Sequence, residues 1–161
     1  MEAKRAEYPA HLARQRRLAD GRTVVIRPVR PEDEPAEREF LPRFTGAVTD
    51  TRFYTRIDYD RHMAFVCEHD GRLVGEARYV ANPSSRSCEF GIVVADEWHH
   101  TGVAQLLAVA LTRAAHARGF ETMEGLVLGE NTDMLDFVKE LDFEISPMPE
   151  EPALARVVKK L

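Results

Sequence analysis

The stretch that decides the fold opens with Cys88-Glu89-Phe90-Gly91-Ile92-Val93-Val94 and continues through Asp96-Glu97-Trp98-His99-His100-Thr101-Gly102-Val103-Ala104. It closes, after an intervening apolar-periodic segment, on Met123-Glu124-Gly125-Leu126-Val127-Leu128. The first and last pieces are rich in β-branched and aromatic residues and predict strands over 88–94 and 122–128. Between Gly102 and Gly119 the apolar residues Val103, Leu106, Leu107, Ala110, Leu111, Ala114 and Ala117 recur with the 3.6-residue period of an amphipathic helix. Arg113, His116 and Arg118 suit the negative end of its dipole, and Gly119 is a natural stop. A strand, a helix and a strand in this order predict a right-handed crossover with the two strands parallel.

Upstream, Asp20-Gly21 is a hairpin signal ahead of a strand near 23–29, and Pro31-Glu32-Asp33-Glu34 predicts the start of a helix reaching about Phe40. Residues 42–58 yield no assignment. Residues 63–68 and 73–80 read as the arms of a second hairpin around His69-Asp70-Gly71-Arg72, and Asn82-Pro83-Ser84-Ser85 as the turn into strand 88–94. Downstream come a helix over Thr132–Leu141 and closing strands near 143–147 and 153–159. The expected fold class is α/β (α+β): a mixed, mostly antiparallel sheet with one central parallel β-α-β crossover, flanked by helices. The 161 residues make a single domain, with residues 1–16 as a partly ordered N-terminal extension.

Composition narrows the function. With 44% hydrophobic and 30% charged residues the chain has the balance of a globular domain. Its longest apolar run, Leu106 to Leu111, is far short of the roughly 18 residues that suggest a membrane span. The polar amino terminus lacks the apolar stretch of a secretory signal, so the expected location is the cytoplasm. Residues 1–30 hold 8 of the 22 basic and 3 of the 27 acidic side chains, which leaves 14 and 24, a charge of −10, on residues 31–161. Such a field disfavours nucleic acid and favours cationic partners such as amines, while the short apolar runs argue against a membrane partner. The basic run Arg14-Gln15-Arg16-Arg17 reads as a solubility feature. Arg27 and Arg30 read as alternating off a strand into solvent.

Several side chains invite a chemical reading. Gly102 at a helix entry permits either an anion cradle, built from the free first-turn amides, or merely a tight turn. Cys67 and Cys88 lack a CxxC or nucleophile context and read as buried thiols. The His99-His100 pair lacks the companions of a metal site, so no metal is expected. Trp98 reads as a packing anchor, and no Gly-x-Gly-x-x-Gly follows the first strand to support a dinucleotide fold.

The run His99-x-x-Gly102-x-Ala104 resembles the pyrophosphate-binding motif of the GNAT superfamily of N-acetyltransferases, with His99 where Gln or Arg is usual. More narrowly, Tyr8-Pro9, Asp20-Gly21, Ile26-Arg27-Pro28-Val29-Arg30-Pro31-Glu32-Asp33, Ile57-Asp58-Tyr59-Asp60-Arg61-His62-Met63-Ala64 and Glu89-Phe90 are similar to the acetyltransferase domain of Pat-type protein lysine acetyltransferases. These stretches span most of residues 8–145. Pat-type enzymes often carry a regulatory domain as well, for which 161 residues leave no room. Residues 42–56 are shorter than the matching region, which usually shapes the acceptor groove.

The resemblance implies acetyl-CoA as donor. The backbone of Ile92, Val93 and Val94 would pair with the pantetheine arm. The amides of His100, Thr101, Gly102, Val103, Ala104 and Gln105 would hold the pyrophosphate beside His99. Asn131 would either bond the pantetheine or cap the following helix. A lysine amine with a pKa near ~10.4 must lose a proton before it attacks, so a base is required. Glu89 is the candidate, since strand alternation puts it on one face with Gly91 and Val93 and it matches the family's usual strand glutamate. The alternative is a solvated strand glutamate. For a glutamate to act as base, neighbours such as Phe90 or Val93 would have to raise its pKa. The amide of Ile92 or Val93 would stabilise the oxyanion. Val138 falls where many relatives have a tyrosine acid, and Asp142 replaces their usual glycine. The acceptor implied is a protein lysine. A small amine or polyamine is the second reading, and a CoA-binding module without chemistry the third.

Overall fold

The unbroken apolar run Met63 to Cys67 is buried throughout, in a central strand of a sheet that carries a helix on each face. The structure is a computed structural model that describes residues 7–41 and 57–161. Residues 1–6 and 42–56, the latter expected to be shorter than in Pat-type domains, lie outside the described residues. In chain order the elements are β1 (Arg14–Arg17), β2 (Thr23–Pro28), α1 (Glu34–Phe40), β3 (His62–His69), β4 (Arg72–Ala81) and β5 (Ser87–Val94). Then come α2 (Val103–Ala117), β6 (Thr122–Leu128), α3 (Thr132–Glu140), β7 (Glu144–Pro147) and β8 (Leu154–Lys160). The eight strands form one sheet in the order β1-β2-β3-β4-β5-β6-β8-β7. Every neighbouring pair is antiparallel except β5 and β6, which are parallel and joined by α2.

Side-chain alternation in β4 decides which helix covers which face. Gly75 lies under Val103 and Leu107 of α2, with no room for a side chain between them. Glu76, one residue on, therefore points to the other face, where α1 packs against β4. The α2 side encloses Met63, Phe65, Tyr79, Leu107 and Leu111, all nearly fully buried. Burial of each such side chain contributes roughly 1.5–3 kcal/mol. Cys67 and Cys88 are buried free thiols. Burial pushes each up to about 12. Trp98 is buried against His69, with the Arg22 guanidinium 3.8 Å from its ring centre, which bears out the packing reading.

The α1 face corrects one expectation. Arg27 does not reach solvent but is 7% exposed. Its guanidinium forks onto the Asp33 carboxylate at 2.7 and 2.8 Å, and Glu68 lies 3.4 Å away. The cause is the single helical turn Pro31–Asp33, which folds back over this face and carries the counter-charge with it. A bidentate pair of this kind offsets the desolvation that burying a lone guanidinium would incur. Among the described residues no helix is long and apolar enough to cross a membrane.

Candidate active site

The two strands of the one parallel pair splay apart after three residue pairs. β5 and β6 pair only at Ser87 with Thr122, Cys88 with Met123 and Glu89 with Glu124. β6 continues alongside β8 to Leu128, while β5 continues alongside β4 to Val94. The wedge is Phe90. Its ring lies over Gly125, where an added Cβ would come within 2.9 Å of Cε1, and it packs on Phe143 with ring centres 5.1 Å apart. Among the described residues no strand pairs with Ile92, Val93 and Val94 on their β6 side, and main-chain groups pointing there can pair with an extended ligand.

The splayed end of β5 leads on to the start of α2. Gly102 is the residue before the helix, at φ +97°, and carries no side-chain cap. His100 is also left-handed, at φ +61°. Among the described residues the amides of residues 100 to 105 donate to no other backbone group. Left-handed residues next to a helix start aim successive N–H groups into one concavity, and the dipole adds positive potential there. Thr101 donates its hydroxyl to the Trp98 carbonyl at 2.5 Å, which holds the loop. His99 Nε2 lies 2.9 Å from the Val94 carbonyl. A carbonyl only accepts, so Nε2 carries the hydrogen. His99 thus ties the loop to the end of β5.

Glu89 is exposed on the α1 face of β5, with Gly91 and Val93 on the same face. It has no hydrogen-bond or ion-pair partner among the described residues. Phe90 does not surround it, contrary to the sequence expectation, because alternation sends that ring to the opposite face and into the wedge. The space above Gly91 is open. Across from Gly91 on β4 stands Arg78, and across from Val93 stands Glu76.

These two belong to a buried network that the sequence reading missed. Arg78 bonds Glu76, and its Nη1 lies 2.9 Å from His62 Nε2. Glu37 of α1, 0% exposed, meets Glu76, 4% exposed, and their carboxyl groups interact directly. Burial, then the hydrogen bond and the charge of Glu76, raise the Glu37 pKa far above the carboxylate range, so Glu37 holds a proton at neutral pH. Burial and the Arg78 charge push His62 down to about 4, so it is neutral. The one legible signal was Glu76-x-Arg78, an opposite-charge pair on one face of a strand. A glutamate in an exposed-looking helix such as α1 carries no signal of burial.

Asn131 accepts a hydrogen bond from the Met134 amide at 3.2 Å and so caps α3. Val138 is fully buried among the side chains between α2 and α3. Asp142, where the sequence resemblance leads one to expect glycine, takes the left-handed conformation, φ +66°, at the end of α3. Its amide bonds the Lys139 carbonyl, and the Phe143 amide the Val138 carbonyl, at 3.0 Å each. A left-handed non-glycine residue is strained, so Asp142→Gly is expected to stabilise the fold by about 1 kcal/mol. Urea unfolding checks this, and a lower midpoint for the variant would contradict it.

Comparison with known proteins bears on the same fold. The family model for the acetyltransferase (GNAT) family matches residues 34–143. Acetyltransferase PA5475 of Pseudomonas aeruginosa is 34% identical over 144 residues, covering 78% of this chain and 77% of that protein. Among solved structures, the GNAT domain of S. lividans PAT superposes with a TM-score of 0.85 at 22% identity, covering 96% of this chain and all of that one. A cAMP-binding acyltransferase from Mycobacterium smegmatis gives 0.69 at 22% identity, covering 92% of this chain but 47% of that one. The strand splay, the glycine-entered helix and these matches converge: the chain belongs to the GNAT family of acetyltransferases.

Proposed function

We propose that the chain transfers an acetyl group from acetyl-CoA to a primary amine, with a protein lysine as the favoured acceptor. The observation that carries the reading is the splay of β5 from β6, which ends beside the unpaired amides of residues 100 to 105. That combination suits an extended amide-bearing arm followed by a diphosphate. Acetyl-CoA, when bound, supplies an activated thioester. Ile92, Val93 and Val94 pair with the arm, and His100, Thr101, Gly102, Val103, Ala104 and Gln105 hold the diphosphate. The Ile92 or Val93 amide donates to the oxygen on which negative charge grows. Glu89, exposed and unpaired, accepts the proton of the incoming ammonium directly or through water. Val138 has no proton to give, so water protonates the departing thiolate, whose ordinary pKa is about 8.5. His99 locks the loop through Val94, and Asn131 acts as a helix cap.

The test is calorimetry with acetyl-CoA on the purified chain, followed by thiol-release assays with lysine peptides and polyamines. Saturable binding and faster release with lysine peptides support the reading. Preference for polyamines moves the acceptor to small cations, which the −10 charge of residues 31–161 also fits. Binding without release by any amine leaves a CoA-binding module. Gly102→Ala forces a side chain into a left-handed position, and acetyl-CoA affinity is expected to fall about tenfold, the equivalent of ~1.4 kcal/mol. Unchanged affinity in that variant would remove the loop from the site.

A further inference from the structure

A cavity of about 360 Å³ lies on the α2 side of the sheet, the face opposite Glu89. Its floor includes Ile26, Met63 and Phe65, none more than 3% exposed. Its wall is the stripe of α2 that carries Leu106, Ala110, Ala114 and Ala117, positions one helix face apart. The alanines leave the space that larger residues would fill. The rim is basic: Arg14 and Arg16 of β1, Arg113 and Arg118 near the end of α2, and His11. Strand alternation places Arg14 and Arg16 on one face of β1, so the run that reads as a solubility feature sends two of its three arginines here.

Among the described residues no acidic side chain lines this cavity, in a chain whose net charge is −5. Arg118 lies 3.6 Å from Asp60. Arg14 donates to the His11 and Ala13 carbonyls and Arg16 to the Gln15 carbonyl. Arg14, Arg16 and Arg113 face no carboxylate among the described residues. An apolar floor beneath a rim of guanidinium groups matches a ligand with a hydrocarbon body and one anionic end. At about 30 Å³ per water-sized unit, the volume accommodates roughly a dozen non-hydrogen atoms.

We propose that this cavity binds an amphipathic carboxylate, a linear acyl chain the size of decanoate, with its chain on Ile26, Met63 and Phe65 and its carboxylate among Arg14, Arg16 and Arg113. The site is separate from the acetyl-transfer site and does not depend on how that site is read. Calorimetry of the full chain with decanoate is expected to show saturable one-to-one binding. Decanol, which lacks the charge, and decyltrimethylammonium, which reverses it, are expected to bind at least tenfold more weakly. Arg16→Ala combined with Arg113→Ala is expected to lower decanoate affinity at least tenfold. Ala110→Phe fills the cavity and is expected to abolish binding while far-UV circular dichroism stays unchanged. If that variant fails to fold, the arginine pair decides the matter, since its side chains are exposed. Equal affinity for decanol, unsaturable uptake, or decanoate affinity unmoved by the arginine substitutions overturns the proposal.

Discussion

Glu89→Gln is expected to lower acetyl transfer at pH 7 to 8 by about a hundredfold or more, the range that removal of a general base produces. The amide is the same size as the carboxylate but has no lone pair basic enough to take an ammonium proton. Glu89 is exposed and has no ion-pair partner among the described residues, so the substitution breaks no structural contact. Acetyl-CoA affinity, measured by calorimetry, is expected to change less than twofold, because the diphosphate loop and the splayed strand are untouched. Residual activity in the variant is expected to climb with pH toward the acceptor amine's own pKa of about 10.4, as solvent takes over the deprotonation. Unchanged turnover, or a loss confined to acetyl-CoA affinity, would remove the general-base role from Glu89.

The second large effect concerns stability rather than catalysis. Glu37 is protonated in the folded chain because burial and the neighbouring Glu76 raise its pKa. In the unfolded chain it returns to the ordinary value of about 4.3. A carboxyl group with a raised folded pKa contributes its full stability below the unfolded value, and loses it as pH rises toward the folded value. Glu37 therefore makes the wild-type chain progressively less stable above about pH 5, with a slope of up to about 1.4 kcal/mol per pH unit. Glu37→Gln keeps a hydrogen-bond donor for Glu76 and has no proton to lose. Urea unfolding at pH 6, 7.5 and 9 is expected to show the variant gaining on the wild type as pH rises. Parallel pH dependence in the two proteins would overturn this account. His62 acts in the opposite sense, since a folded pKa near 4 removes stability as pH falls below about 6.5, and both proteins share that loss.

The contrast between Glu89 and Glu37 marks what the residues disclose on their own. The strands and helices follow from period and turn chemistry: the 3.6-residue stripe from Val103 to Ala117, the two-residue alternation of 88–94, and Asp-Gly at both hairpins. The helix entry at Gly102 was legible because a glycine there carries a specific backbone requirement. Buried charge was not. Arg27 and Glu37 look like surface residues in any one-dimensional pattern, and only the layering of α1 and its preceding turn over β2 and β4 encloses them. The direction of Phe90 was misread for a related reason. Alternation gives a side chain its face, but the use of that face as a wedge depends on Gly125, thirty-five residues away.

The two sulfhydryls bear on how such an enzyme would live with its own product. A transferase of this kind releases coenzyme A, a free mercaptan that oxidises to disulfides capable of capping any accessible protein thiolate. Cys67 and Cys88 are sealed in the core, and burial leaves almost none of either ionised at neutral pH. The native chain is thus expected to resist oxidised coenzyme and alkylating dyes, so that a colorimetric reagent added during turnover would read the liberated mercaptan alone.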